Sequence, residues 1–306
     1  MKRVFVTGAT GFIGAAVARR LLADGYEVAI LARPESSRQR LGRALDRMHV
    51  ISGSCDSPAA FARPLEDFRP DTVMHLAWHG VGGAHRNAPD QIRKNVCAAI
   101  DLLETAAKAG CRTFVGAGSQ AEYGPSRDVL HEQSPVRPVT AYGAAKLATS
   151  ILLAHLAALH DVRFAWLRIF SVFGPGDDAG TLFSYVTTDW RAGRCPAVST
   201  GEHAWDSLYL DDAAAAFITA AESQATGVIN VASGHSPPLR DTISKVRDAI
   251  DPSLPIVFGT VADPPSGAYP LRANVDRLRN LGWRPATPLD DAIERTVSWY
   301  RHRGAM

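Results

Sequence analysis

Three glycines spaced three residues apart, Gly8, Gly11 and Gly14, stand between an apolar run, Val4-Phe5-Val6, and an apolar helical pattern of Ile13, Val17, Leu21 and Leu22. A short strand-type run feeding a glycine turn and then a helix leaves few folds open. Glycine lets the backbone turn tightly and approach a ligand closely, while a helix N-terminus offers N–H groups and a partial positive charge to a pyrophosphate. The spacing is Gly-x-x-Gly-x-x-Gly rather than Gly-x-Gly-x-x-Gly, but the mechanics are the same. Gly8, Thr10, Gly11, Phe12, Ile13 and Gly14 are the candidate cradle for a dinucleotide. The plain alternative is an ordinary glycine turn between a strand and a helix.

With 306 residues the chain has room for one large α/β domain and a smaller unit, drawn here as 1–170 and 171–306. A strand near 227–232 is expected to return from the second unit to the first sheet. Thirty-three basic and 31 acidic residues nearly balance, with no basic block, which argues against nucleic acid and membrane surfaces as partners. No apolar run approaches the length of a membrane span, and the apolar stretch after Met1-Lys2-Arg3 ends in the glycine turn rather than a cleavage site. Cys55, Cys97, Cys111 and Cys195 are scattered, without a Cys-x-x-Cys pair or a metal-ligand cluster. The expectation is reduced thiols, no metal and a cytoplasmic location.

Further strands are expected at 27–31, 49–51, 72–76, 113–117 and 164–170, alternating with helices, the pattern of a Rossmann-type doubly wound parallel sheet. The second strand ends Ala32-Arg33-Pro34-Glu35-Ser36, without the acid that accepts hydrogen bonds from an NAD ribose. Arg33 and Ser36 could instead surround a 2′-phosphate, so NADP is favoured over NAD; a solvated basic loop is the alternative. Ser54 and Cys55 follow the third strand, where an adenine would sit. Leu76 and Ala77 close the fourth strand, and the loop beyond it, carrying Trp78, His79, His85 and Arg86, is expected to face ligand, with only one of His85 and Arg86 engaged. One continuous helix is expected from about Pro89 to Ala109; Asn95 within it is either solvated or hydrogen-bonded to active-site backbone, and is counted with the cofactor set. Ser119 and Gln120 end the fifth strand. Tyr142 and Lys146, four apart, share one face of the helix that follows.

In order and approximate spacing, Thr7 to Gly14, Ser119, Tyr142 and Lys146 resemble the glycine motif and catalytic triad of the extended short-chain dehydrogenase/reductases, the nucleotide-sugar epimerase/dehydratase/ketoreductase group. Leu167 to Gly176, Gly201 to Asp212 and Leu281-Gly282-Trp283-Arg284-Pro285 extend the resemblance over nearly the whole chain. It implies a nucleoside-diphosphate sugar substrate, a smaller C-terminal substrate-binding α/β region and a homodimer formed through the helices at 89–109 and 141–160. Ile169 joins the cofactor set. Trp78, His79, Ser119, Gln120, Ser171, Trp205 and Arg272 form the substrate set, Arg272 as a candidate diphosphate contact. Ser171 stands where the family usually carries Asn, and Trp205 where it usually carries Arg.

A tyrosine hydroxyl titrates near pH 10, and a lysine one turn away favours its phenolate. Tyr142 is therefore the expected proton donor or base, with Ser119 holding the substrate oxygen and Lys146 also placing the cofactor. The 4,6-dehydratases carry Asp-Glu after the Ser/Thr, where this chain has Gln120 and Ala121, which argues against dehydration. Arg33 favours NADPH-dependent reduction of a nucleotide-linked 4-keto-6-deoxy sugar. An NAD-dependent nucleotide-sugar 4-epimerase is the alternative, and a non-catalytic NADP sensor the alternative of another class.

Overall fold

The computed structural model describes residues 2–262 and 269–303. Its first half alternates strands and helices: β1 (Arg3–Thr7), α1 (Phe12–Ala23), β2 (Glu27–Ala32), β3 (His49–Ser52), α2 (Pro58–Phe68), β4 (Thr72–His75), α3 (Cys97–Lys108), β5 (Thr113–Ser119), α4 (Ala141–Leu159) and β6 (Arg163–Ile169). Then come β7 (Ser171–Phe173), α5 (Leu182–Arg191), β8 (Ser207–Tyr209), α6 (Leu210–Glu222), β9 (Gly227–Val231), α7 (Leu239–Ile250), α8 (Asp276–Asn280) and α9 (Leu289–Arg303).

Seven strands form one parallel sheet in the order β3-β2-β1-β4-β5-β6-β9, and β7 pairs with β8 in a separate ribbon. The central strands are continuous apolar runs, as a sheet covered on both faces requires. One face packs on α1 and α6 through Val17, Leu21, Phe217 and Ala213. The other packs on α2, α3 and α4 through Phe61, Leu65, Leu102, Leu103 and Leu153. Strand order reverses between β1 and β4, whose ends pair Thr7 with His75. Ligands of open α/β sheets bind in the crevice outside such a switch point. Phe173, Phe183, Trp190, Ile243 and Ile293 form a further core among α5, α7 and α9.

The helix expected over 89–109 is not continuous α-helix. Residues Ile92–Val96 make a π-helical turn before α3 begins at Cys97. Asn95 in that turn is buried, with its carbonyl oxygen accepting from the His79 N–H at 2.7 Å and its amide donating to the His79 carbonyl at 3.0 Å. A single widened turn of this kind re-aims a polar side chain, and such turns concentrate at functional sites. The expectation that nothing resembles a membrane span also needs correction. By length and composition α4 would qualify, yet in the fold it is a core helix whose Leu153 and Ala157 are buried against the sheet.

Trp166 on β6 is fully buried and lies flat over β5, where Gly116 and Gly118 leave room for its ring. A Cβ at Gly118 would stand 2.8 Å from the ring carbon Cδ1 of Trp166 and 2.7 Å from a Glu122 carboxylate oxygen. Neither neighbour has space to retreat. Gly118→Ala is therefore expected to destabilise the protein by about 1–3 kcal/mol, the usual cost of overpacking a core. Urea denaturation of the two proteins measures it, and an unchanged midpoint would refute this account of the packing.

Candidate functional site

The site begins at the switch point. Gly8 has φ +73°, a left-handed conformation, and a Cβ there would lie 2.5 Å from the Ala77 nitrogen. Only glycine lets the ends of β1 and β4 touch in this way. The Gly11 N–H donates to the Gly8 carbonyl at 3.0 Å and closes the turn, and α1 starts at Phe12. No side chain caps this helix, and its first turn holds no acidic residue. An uncapped N-terminus beside a glycine turn suits a pyrophosphate. Beneath the turn the Thr7 hydroxyl pairs with His75 Nδ1 at 2.8 Å and accepts from the Ala77 N–H at 3.3 Å. Burial holds the His75 imidazole neutral, pushed down to about 3.

At the far end of the crevice Arg33 projects from the turn after β2 with 57% of its side chain exposed, 3.5 Å from the Glu35 carboxylate. The guanidinium is accessible, but a neighbouring carboxylate shares it, which the sequence reading left out. The Ser36 N–H donates to the Arg33 carbonyl in the same turn. Ser54 and Cys55 lie half-buried just beyond β3. Burial pushes the Cys55 thiol up to about 12 against a hydrogen bond with Thr7, so it stays a thiol.

Ser119 ends β5, Tyr142 is the second residue of α4, and Lys146 follows one turn later; all three are buried. The α4 N-terminus is fixed by Thr140, whose hydroxyl accepts from the Gly143 N–H at 3.1 Å. Gly143 itself lies so close to the Ala121 carbonyl that no Cβ would fit. The Ser119 hydroxyl lies close enough to the Tyr142 phenol to favour its ionised form. The Lys146 ammonium donates to the Ala117 carbonyl at 2.5 Å and stands 3.7 Å from the centre of the Trp78 ring. Burial lowers its pKa to about 7, with Glu122 working in the other direction. Burial also raises the Tyr142 phenol, opposed by the Ser119 hydroxyl and the Arg86 guanidinium.

The loop after β4 is built inward. The Trp78 indole donates to the Gln91 carbonyl oxygen at 2.8 Å and meets Tyr142 edge-on, with ring centres 6.1 Å apart. His79 is held by its backbone, through Asn95. The Asn95 amide nitrogen donates to the His79 carbonyl and the Gln91 side-chain oxygen while its oxygen accepts from the His79 N–H, so the side chain braces the loop. Of His85 and Arg86, it is Arg86 that reaches the site, 4.6 Å above the Tyr142 ring centre.

Trp205 and Arg272 lie on adjoining segments, since Trp205 pairs with Leu271. The Arg272 guanidinium donates to the Arg127 carbonyl, and its Nε is buried without a partner. Ser171 on β7 pairs with Ser207 on β8, Ile169 ends β6 beside Ser119 and Val231, and Gln120 opens a 3-10 turn after Ser119. Among the described residues no three His, Cys, Asp or Glu side chains are grouped to hold a metal.

Sequence reasoning missed Glu122, Arg168 and Gln91. Glu122 is fully buried and accepts from the Ser119 N–H at 2.8 Å, the Trp166 indole at 2.8 Å and Arg168 Nε at 2.7 Å. The signal was present, because Ser119-x-x-Glu122 has capping-box spacing, and the box forms here around the 3-10 turn.

Residues 4–232 match the family described as NAD dependent epimerase/dehydratase. The chain belongs to that family. It is 29% identical over 317 residues to a UDP-glucose 4-epimerase of Mycolicibacterium smegmatis, covering 98% of this chain and 99% of the relative. It is 30% identical over 311 residues to a dTDP-6-deoxy-L-talose 4-dehydrogenase (NAD(P)(+)) of Kitasatospora kifunensis, covering 95% and 93%. The structure of a Thermus thermophilus UDP-glucose 4-epimerase in complex with NAD superposes with a TM-score of 0.87 at 25% identity, over 98% of this chain and 99% of that one. This family member is thus an enzyme of the extended short-chain dehydrogenase/reductase kind, with a nicotinamide dinucleotide as its cofactor.

The electrostatics of the site carry a cost. An ammonium held near pKa 7 when buried, against its usual 10.5, binds a proton less readily folded than unfolded. The penalty is complete below about pH 7 and fades as pH rises toward the unfolded value. Lys146→Met is expected to melt at a higher temperature than the wild type at pH 7, the gap shrinking by pH 10. Thermal denaturation without cofactor at the two pH values checks this, and a gap that widens with pH would contradict it.

Proposed function

We propose that the protein interconverts C4 epimers of a nucleoside-diphosphate sugar, with Tyr142, Ser119 and Lys146 as its working residues. The observation that carries this is that Ser119, Tyr142 and Lys146 are buried together at the end of β5 and the start of α4, with the Ser119 hydroxyl close enough to the phenol to favour its ionised form. Two supports come from beyond the triad. The M. smegmatis relative and the T. thermophilus structural neighbour are both 4-epimerases. Gln120 and Ala121 supply no second acid and base for dehydration. These points weigh against the net reduction of a 4-keto-6-deoxy sugar that Arg33 suggested, and an intact triad weighs against a cofactor sensor without turnover.

When bound, the nicotinamide supplies a hydride acceptor that becomes the donor in the return step. The Tyr142 phenolate takes the proton of the C4 hydroxyl as that carbon gives up its hydride and becomes a ketone, and gives it back once the ketone has turned its other face to the nicotinamide and the alcohol re-forms with inverted configuration. Ser119 donates to the oxygen on C4 in each of the two steps. Trp78 and Trp205 are proposed to stack on the sugar or base, with Arg272 at the diphosphate. Exposed Ile151, Leu152 and Leu159 on α4 support the homodimer implied by the resemblance.

Tyr142→Phe removes the proton carrier and keeps the ring, so kcat should fall by about 10²–10⁴ while cofactor affinity holds. Turnover within a few-fold of wild type, in a coupled assay on a UDP- or dTDP-hexose, would remove Tyr142 from the mechanism.

A second reading, net reduction by NADPH, is favoured by the carboxylate-free end of β2 and its accessible Arg33. The two differ in stoichiometry. Epimerisation leaves nicotinamide absorbance unchanged, whereas reduction oxidises one equivalent of NADPH per sugar. A charge-assisted contact contributes about 1.5–3 kcal/mol, which Glu35 reduces here. Arg33→Ala should weaken NADP binding by about tenfold and leave NAD binding unchanged; equal losses for both would show that Arg33 does not touch the 2′-phosphate.

A further inference from the structure

We propose that Arg86 is a positioning residue for the Tyr142 phenol, a permanent positive charge held over its ring to favour the ionised form. The proposal rests on the proton-carrying role given to Tyr142 above.

The loop after β4 is fastened so that Arg86 has little freedom. The Gln91 amide donates to the carbonyls of Gly80 at 2.8 Å and His85 at 3.0 Å. The Tyr142 N–H donates to the Arg86 carbonyl at 2.8 Å, and the Ala141 N–H to the Asn87 side-chain oxygen at 3.1 Å. The loop therefore adds two acceptors to the first turn of α4 beside the Thr140 cap, and the guanidinium comes to rest 4.6 Å from the Tyr142 ring centre. Its Nε is buried without a hydrogen-bond partner. An unpaired buried donor is costly to keep, and negative charge forming on the ring beneath it would offset that cost.

Charged and titratable groups reach Tyr142 from four sides. The Ser119 hydroxyl at the end of β5 favours ionisation, and Glu122 in the following turn disfavours it. Lys146, on α4 itself, lies 5.9 Å from the ring centre with its ammonium turned to the Ala117 carbonyl and the Trp78 face. Arg86 comes from the loop after β4 and is closer than Lys146. The two cations also differ in persistence. The lysine loses its proton near neutral pH in this burial, whereas a guanidinium stays charged throughout any enzyme's working range. A cation above a ring that is acquiring negative charge favours that charge. Arg86 thus offsets Glu122 and keeps the phenolate accessible where Lys146 is neutral.

The test uses the full chain with Arg86→Met, Arg86→Lys and, as a spectral blank, Tyr142→Phe. Ultraviolet difference titration of the tyrosinate reads Tyr142 directly, without turnover. Arg86→Met should raise its titration by roughly one pH unit, a tenfold change in equilibrium, and Arg86→Lys should restore most of it. In the sugar assay the acid limb of kcat should move up in pH by a similar amount, with KM for the nucleotide sugar and cofactor affinity unchanged. An unmoved tyrosinate titration in a folded Arg86→Met protein overturns the proposal. So does a raised KM with an unmoved acid limb, which would make Arg86 a substrate contact. If the titration moves while no variant, nor the wild type, turns over a nucleotide sugar, the electrostatic role stands and the proposed reaction fails.

Discussion

A carboxylate with no exposed surface, Glu122, joins the sheet to the reacting groups. Taking an ion out of water costs several kcal/mol unless charge and hydrogen bonds replace the lost hydration. Glu122 has both: the Arg168 guanidinium, the Trp166 indole and the Ser119 backbone N–H. The three donors come from β5 and β6, so satisfying one carboxylate locks the ends of two central strands and orients Ser119. The arrangement reaches further. Arg168 stacks on Tyr123, whose hydroxyl donates to Asn230 on β9 at 2.7 Å. Removing one partner of such a buried pair typically costs about 3–5 kcal/mol, because the other charge is left without compensation.

The same carboxylate sets a conflict at the site. Its charge helps Lys146 stay protonated and opposes ionisation of Tyr142. Burial works against the charged form of both residues. Tyr142 and Lys146 are therefore both held closer to neutral than either group would be in water. The remaining positive charge is contributed by Arg86, from a loop anchored through Gln91 and Asn95 to a π-helical turn. Loop anchoring, helix irregularity and phenol electrostatics are thus one connected device, and the crevice formed by Gly8 and Ala77 lies beside it.

How much of this could be read in advance differs by element. Strand positions at 27–31, 113–117 and 227–231 agree with the structure to within two residues, because buried parallel strands are continuous apolar runs. The glycine turn was legible because only glycine permits the φ at Gly8 and the close approach to Ala77. Ser119, Tyr142 and Lys146 were legible because helical spacing places the last two on one face and the strand end supplies the first. The split of the helix at 89–109 was not. Asn95 and Gln91 look like ordinary helix residues until a loop six to sixteen positions upstream turns back to bond them.

Local chain chemistry therefore determined the alternation of strands and helices, the phosphate-ready turn and the shared helix face of Tyr142 and Lys146, since each depends on residues close in sequence. The tertiary structure alone decided which charges surround the phenol. Glu122 and Arg168 are 46 positions apart, and Arg86 lies far from Tyr142 along the chain. Electrostatic interaction depends on distance and burial in space, and neither is written in the spacing of residues along a strand or helix.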